Sequence, residues 1–171
     1  MSADVLASVI FCCGPLCPEE EITAELERSG IAVIRLASLD DYRHDADLIA
    51  ARALEAVNAL PAGMPVGLVG AGAAAAGVLI AAAENPDAIT AVVSINGRTD
   101  LASDHLRMVR IPALLIVNDM PVLRMNREAI TSLRGERRLE VVHGLGPEES
   151  ALIVEKTSRW LTERLVGVAA A

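Results

Sequence analysis

Along this chain, apolar runs of strand length alternate with longer segments whose apolar positions recur at helical spacing. The spacing predicts strands over 5–12, 31–36, 65–69, 90–95, 112–117 and 139–142. These runs are almost continuously apolar, as expected of parallel strands covered on both faces. Helices are predicted over 18–29, 45–60, 73–84, 123–133 and 147–165. The first begins at a proline, carries acids in its first turn and stops at Gly30. Residues 95–111 read mostly as loop with room for one helical turn. Strict alternation of strand and helix predicts an α/β fold, with three layers around a mainly parallel six-stranded sheet. No repeat, low-complexity tract or linker interrupts it, so residues 1–171 are expected to form a single domain.

Composition narrows the function classes. Of 171 residues 53% are hydrophobic, and the mean hydropathy of +0.42 suits a largely buried sheet. The net charge of −8, with one Trp, one Tyr and one Phe, argues against nucleic acid as a partner, because phosphates need cations and bases need stacking platforms. No apolar run is long enough for a membrane span, and the first residues lack the basic start of a signal peptide, so a cytoplasmic location is expected. Three cysteines, Cys12, Cys13 and Cys17, do not make a secreted disulfide framework and are expected to be reduced.

Parallel sheets with right-handed crossovers bind ligands at the carboxyl ends of their strands, where the winding reverses. That places the loops 12–17, 70–74, 118–121 and 143–147 around one crevice. The most informative is the run GLVGAGAAAAG from Gly67 to Gly77, a strand, a tight turn and a helix with Gly72 at the turn's centre. Gly70, Gly72 and Ala75 satisfy G-x-G-x-x-A, the dinucleotide fingerprint. That fingerprint belongs on a first strand, with an acid ending the next. Here two strands precede it and Ile95 is followed by Asn96, so a dinucleotide module is the weaker alternative and no cofactor is expected.

A larger set of segments points elsewhere. VIFCCGP at 9–15, VGLVGAGAAAAG at 66–77, VVSINGRTDL at 92–101, IPALLIVNDMPVL at 111–123 and LEVVHGLGPEE at 139–149 together resemble the dienelactone-hydrolase-like branch of the α/β hydrolases. The resemblance runs from Val5 to Leu165 and implies a shortened core without a lid, with strand order 2-1-3-4-5-6. It also implies a nucleophile elbow, G-x-S-x-G, whose serine stands on a strained turn above the sheet. In this chain the serine position is Gly72 and the last glycine is Ala74. Glycine tolerates that backbone at least as well as serine, so the turn can persist without its reagent. The family's acid falls at Asp119. Its histidine falls near Pro147, with His143 at the strand end and off register. An oxyanion donor expected beside Cys13 and Gly14 falls on Pro15, which has no N–H. The resemblance therefore implies a hydrolase fold stripped of acyl-transfer chemistry: a pseudo-hydrolase that binds a small molecule, assists another protein, or runs non-covalent chemistry with Asp119 or His143 as general base. Its ligand would lie against Cys13, Gly14, Ala71, Gly72, Ala73 and Arg98.

The opposing possibility is an esterase or thioesterase using Cys12 or Cys13 as nucleophile, which needs a base to lower the thiol pKa. Against it stands the ordinary role of buried cysteines as small core residues. A zinc site from the three cysteines and His143 is not expected, since adjacent cysteines cannot readily share one ion and C-x-x-C spacing is absent. Arg98 is either an anion hook or the partner of Asp100. His44, His105 and the arginines 134, 137 and 138 read as solvated surface. The second strand should form an open sheet edge, which invites a second copy of the chain or a protein partner, with Arg35 blunting it.

Overall fold

The computed structural model describes residues 4–13, 17–36 and 45–169. Six strands form one sheet: β1 (Ala7–Cys12), β2 (Ile31–Arg35), β3 (Val66–Ala71), β4 (Ala91–Ile95), β5 (Ala113–Val117) and β6 (Arg137–Val141). Their order is β2-β1-β3-β4-β5-β6 and every pairing is parallel. The expected order and layering hold.

Five helices cover the sheet: α1 (Glu19–Arg28), α2 (Ala46–Asn58), α3 (Ala73–Glu84), α4 (Met120–Ser132) and α5 (Pro147–Ala169). Side chains alternate along each strand and so feed two separate cores. Ile10, Cys12, Leu68, Val92 and Leu115 meet α2, α3 and α4 on one face. Val9, Phe11, Val69, Val93 and Ile116 meet α1 and α5 on the other. β1, β3, β4 and β5 are buried along almost their whole length, which explains why their sequences show no polar alternation. α3 is buried all round, with nine of its residues, from Ala75 to Ala83, out of solvent. Its small side chains let α2 and the two short 3₁₀ turns that follow β4 approach closely.

Several boundaries differ from the sequence reading. α4 begins three residues earlier, at Met120, because Pro121 sits comfortably in a first helical turn where no N–H partner is required. α5 runs on to Ala169. β6 starts at Arg137 rather than Leu139: paired to β5 at a sheet edge, it can carry Arg137 and Arg138 on exposed positions. Arg138 is not simply solvated, since its guanidinium lies 5.8 Å from the Trp160 ring. Residues 99–102 and 106–108 form two 3₁₀ turns where a single turn was expected. His105 between them is half-buried, 3.9 Å from Glu84, not a free surface residue. His44 lies outside the described residues. Among the described residues no helix is long and apolar enough to cross a membrane.

Candidate functional site

The tips of β3, β4, β5 and β6 are stitched together by a short chain of hydrogen bonds that begins at the glycine turn. Gly72 adopts φ 61° and ψ −127°, a left-handed backbone that a side-chain-bearing residue rarely takes. Its N–H donates to the Ile95 carbonyl at 3.1 Å, and its own carbonyl accepts from Ala75 N at 3.2 Å and Arg98 N at 3.0 Å. Gly70 is required for a different reason. A Cβ there would stand 2.6 Å from the Ala74 carbonyl oxygen, so any side chain would push α3 off the strand. Around Gly72, by contrast, a Cβ would meet nothing within 4 Å among the described residues. The turn is thus an elbow whose apex no described residue crowds. The amides of Ala73 and Ala74, which open α3, have no backbone acceptor among the described residues, and the helix has no acid in its first turn. Polar ligand atoms at the apex would meet N–H groups and the positive end of the helix dipole.

The next tie is Asn96, the one non-glycine residue with positive φ, 47°, among those described. Its N–H donates to Ile116 O at 2.8 Å. Its side-chain oxygen accepts from the backbone N–H groups of Asn118 at 2.9 Å and Asp119 at 3.1 Å, while its Nδ2 donates to Asn118 Oδ1 at 2.5 Å. Asn118 Nδ2 in turn donates to Gly144 O at 3.3 Å. Asn126, fully buried on α4, donates to Gly97 O and Val122 O at 2.9 Å each, pinning the same loop from below. The sequence reading missed Asn96 and Asn126. Asn96-Gly97 did carry a signal, since Asn tolerates left-handed backbone and bonds to nearby main chain.

This network brings Gly72, the β4 tip, Asp119 and the 143–146 loop to one end of the sheet. Among the described residues it does not couple Asp119 to His143. Asp119 is tethered through its backbone and its carboxylate is exposed, while His143 is also exposed. Neither side chain makes a hydrogen bond to the other among the described residues. Pro147, where the resemblance implied a histidine, opens α5, and Glu149 accepts from Gly146 N at 2.9 Å to close the helix start. Arg98 is taken by Asp100 in a two-pronged pair at 2.9 and 2.8 Å, which raises the guanidinium pKa and lowers that of the carboxyl. Gly14 and Pro15 lie outside the described residues, while Ala71 and Ala73 flank the elbow as expected.

The cysteines separate across the sheet. Cys12, in register with Gly70, turns into the α2–α3 core and is fully buried, whereas Cys13 lies against the α1–α5 core. Burial, reinforced by the negative charge of Glu19, pushes the Cys12 thiol up to about 12. The Cys13 thiol is held well above its usual range by its hydrogen bond with Cys17 and by burial. All three are free. Among the described residues no group of three or more His, Cys, Asp or Glu side chains is placed to hold a metal ion.

Comparison with known proteins agrees with this geometry. A dienelactone hydrolase from Anabaena variabilis superposes with a TM-score of 0.82 and 28% identity over 94% of this chain and 88% of its own. A CIB-like hydrolase from Thermoplasma acidophilum gives 0.75 and 17%, covering 95% and 89%, and Est1E from Butyrivibrio proteoclasticus gives 0.75 and 14%, covering 95% and 90%. No protein-family model matches the chain. Curated relatives in two Mycobacterium tuberculosis strains, both provisionally named phosphoribosyl transferase, are 36% identical over 135 residues, 72% of this chain. The chain spans about 30% of the length of those relatives. This protein has a dienelactone-hydrolase-like α/β-hydrolase fold.

Proposed function

We propose that the chain is a non-hydrolytic protein on this fold, binding a small molecule in the crevice above Gly72 or assisting a second protein. The observation that carries the reading is glycine at the apex of an elbow whose backbone and open surroundings are otherwise suited to a nucleophile. Acyl transfer needs an activated nucleophile beside its base. Gly72 supplies no atom for the first, and Asp119 and His143 are not coupled as the second. Without a covalent intermediate, the amides that open α3 would still receive an anionic or carbonyl oxygen, and Asp119 or His143, on loops at the same end of the sheet, would serve as general base for proton-transfer chemistry.

The cysteine-nucleophile alternative is disfavoured by the same chemistry that makes cysteines reactive. Only the thiolate attacks, and a thiol titrating near 12 holds almost none at neutral pH. The name of the longer mycobacterial relatives favours a phosphoribosyl compound as ligand, which a helix start without acids accommodates. In an accessory role the chain would use β2, which among the described residues pairs with β1 alone, for a partner strand or a second copy.

The test is hydrolysis of p-nitrophenyl acetate by the wild type, by a Cys12→Ala/Cys13→Ala variant and by Gly72→Ser. The reading predicts no wild-type turnover above the protein-free rate. Wild-type turnover that vanishes in the cysteine variant would overturn it. Thermal-shift titration with 5-phosphoribosyl 1-diphosphate and with NAD then separates the ligand classes, since a ligand that prefers the native state raises Tm.

A further inference from the structure

We propose that two copies of the chain join edge to edge through β6, antiparallel and centred on Leu139. β6 is the sheet edge opposite β2, paired with β5 alone among the described residues. The ladder fixes where its main-chain groups point. Ala113 N–H donates to Glu136 O and Val142 N–H donates to Val117 O, so the even-numbered residues turn toward β5. Arg137, Leu139 and Val141 therefore direct their N–H and C=O groups outward, where they have no backbone partner among the described residues. Such a row of unpaired groups is a template for another strand.

The side chains select the occupant and the register. The α5 face of β6 carries Arg138, beside the Trp160 ring, and Glu140, paired with Lys156. Its other face carries Leu139 and Val141, both half-buried. When a strand pairs antiparallel with its own copy about a two-fold axis, residues on the same face stand opposite each other. The register centred on Leu139 overlaps 137–141 along its whole length. Leu139 then exchanges both backbone bonds with Leu139 of the second copy, and Arg137 does so with Val141, so the outward groups of all three residues are paired. Each Arg138 faces Glu140 of the other copy. Moving the centre by one residue sets Arg138 against Arg138, or Glu140 against Glu140, at positions where Cα atoms approach to about 4.5 Å. Both groups retain capacity for the contact. Lys156 takes Oε2 of Glu140 and leaves Oε1, and Arg138 makes no ion pair among the described residues. This self-complementarity of charge favours a second copy over an unrelated strand.

Sedimentation equilibrium of the full chain at micromolar concentration tests this. A reversible monomer–dimer equilibrium is expected. Arg138→Glu and Glu140→Arg each place like charges opposite one another across the axis, and each should weaken self-association by roughly tenfold or more. Mixed in equal amounts, the two variants restore opposite charges at both contacts, so the mixture should regain the wild-type dimer. Arg137→Pro removes one outward N–H from each copy at the exposed first residue of the strand, where proline is tolerated, and leaves the ladder to β5 whole. It too should weaken the dimer, and it carries the same test should a charge variant fail to fold. A wild type that stays monomeric would overturn the proposal. So would a dimer that every variant leaves intact, as expected if the copies met through β2, or a mixture of cooperatively melting charge variants that stays monomeric.

Discussion

Alanine placed at Gly72 and at Gly70 should behave very differently, although the two glycines are two residues apart. At Gly72 the new methyl meets no atom of the described residues within 4 Å, so the cost is that of holding alanine at φ 61°. Strain of this kind is about 1–3 kcal/mol, offset by about 0.4–1 kcal/mol from the reduced freedom of the unfolded chain. A net loss of about 1–2 kcal/mol lowers Tm by roughly 2–8 °C in a domain of this size. At Gly70 the methyl would stand 2.6 Å from Ala74 O and 2.8 Å from both Ala74 C and Ala75 Cα. All three are backbone atoms, so relief requires moving α3 itself. The cost should reach at least about 4 kcal/mol, a fall of roughly 8–16 °C or a failure to fold. Differential scanning calorimetry of both variants gives the comparison. Equal losses would refute the claim that the elbow apex is open, and with it the reason for expecting Gly72→Ser to fold.

Three further outcomes follow from the geometry. The folded pKa of Cys12 is raised from about 9 to about 12, so the buried thiol leaves stability intact below about pH 9 and erodes it as pH climbs toward 12, by up to roughly 4 kcal/mol. Urea titrations at pH 7 and pH 10.5 should therefore show Cys12→Ala losing less stability than the wild type over that interval; parallel losses would contradict the burial account. Asn96→Ala removes the acceptor for two backbone N–H groups and places alanine at positive φ, a cost of about 2–4 kcal/mol, whereas Asn96→Gly should recover the backbone share. Chemical denaturation showing glycine as harmful as alanine would remove strain from the explanation. Arg164 stacks on Trp160, 3.2 Å from the ring centroid, and also pairs with Glu136 on the strand side. Arg164→Ala should cost about 1–2 kcal/mol and alter Trp160 fluorescence.

Much of the fold was legible because the four central strands are buried on both faces and therefore read as uninterrupted apolar runs. The strand order followed from the resemblance carried by five separated segments. The edges were harder. β6 begins with two exposed arginines, a pattern that reads as loop until its pairing with β5 is known. α4's start was hidden by Pro121, which punctuates a sequence but is harmless in a first turn. For the site, glycine at the position where the resemblance implies a serine was visible as a single letter, and its backbone consequence was predictable from glycine's freedom. The Asn96 network was not. Its members are drawn from three loops that only the parallel sheet brings together, and their roles depend on one residue's positive φ. The strand over 5–12 already implied that Cys12 and Cys13 point to opposite faces, but not which core each one meets.

The proposal that the chain forms no covalent intermediate is tested most directly by intact-mass spectrometry of the wild type after incubation with p-nitrophenyl acetate, followed by peptide mapping. The account predicts unmodified protein, or sparse surface acetylation that persists in Cys12→Ala/Cys13→Ala. A stoichiometric acetyl adduct on Cys12 or Cys13 that forms quickly and then hydrolyses would contradict it, and would make this chain a working hydrolase.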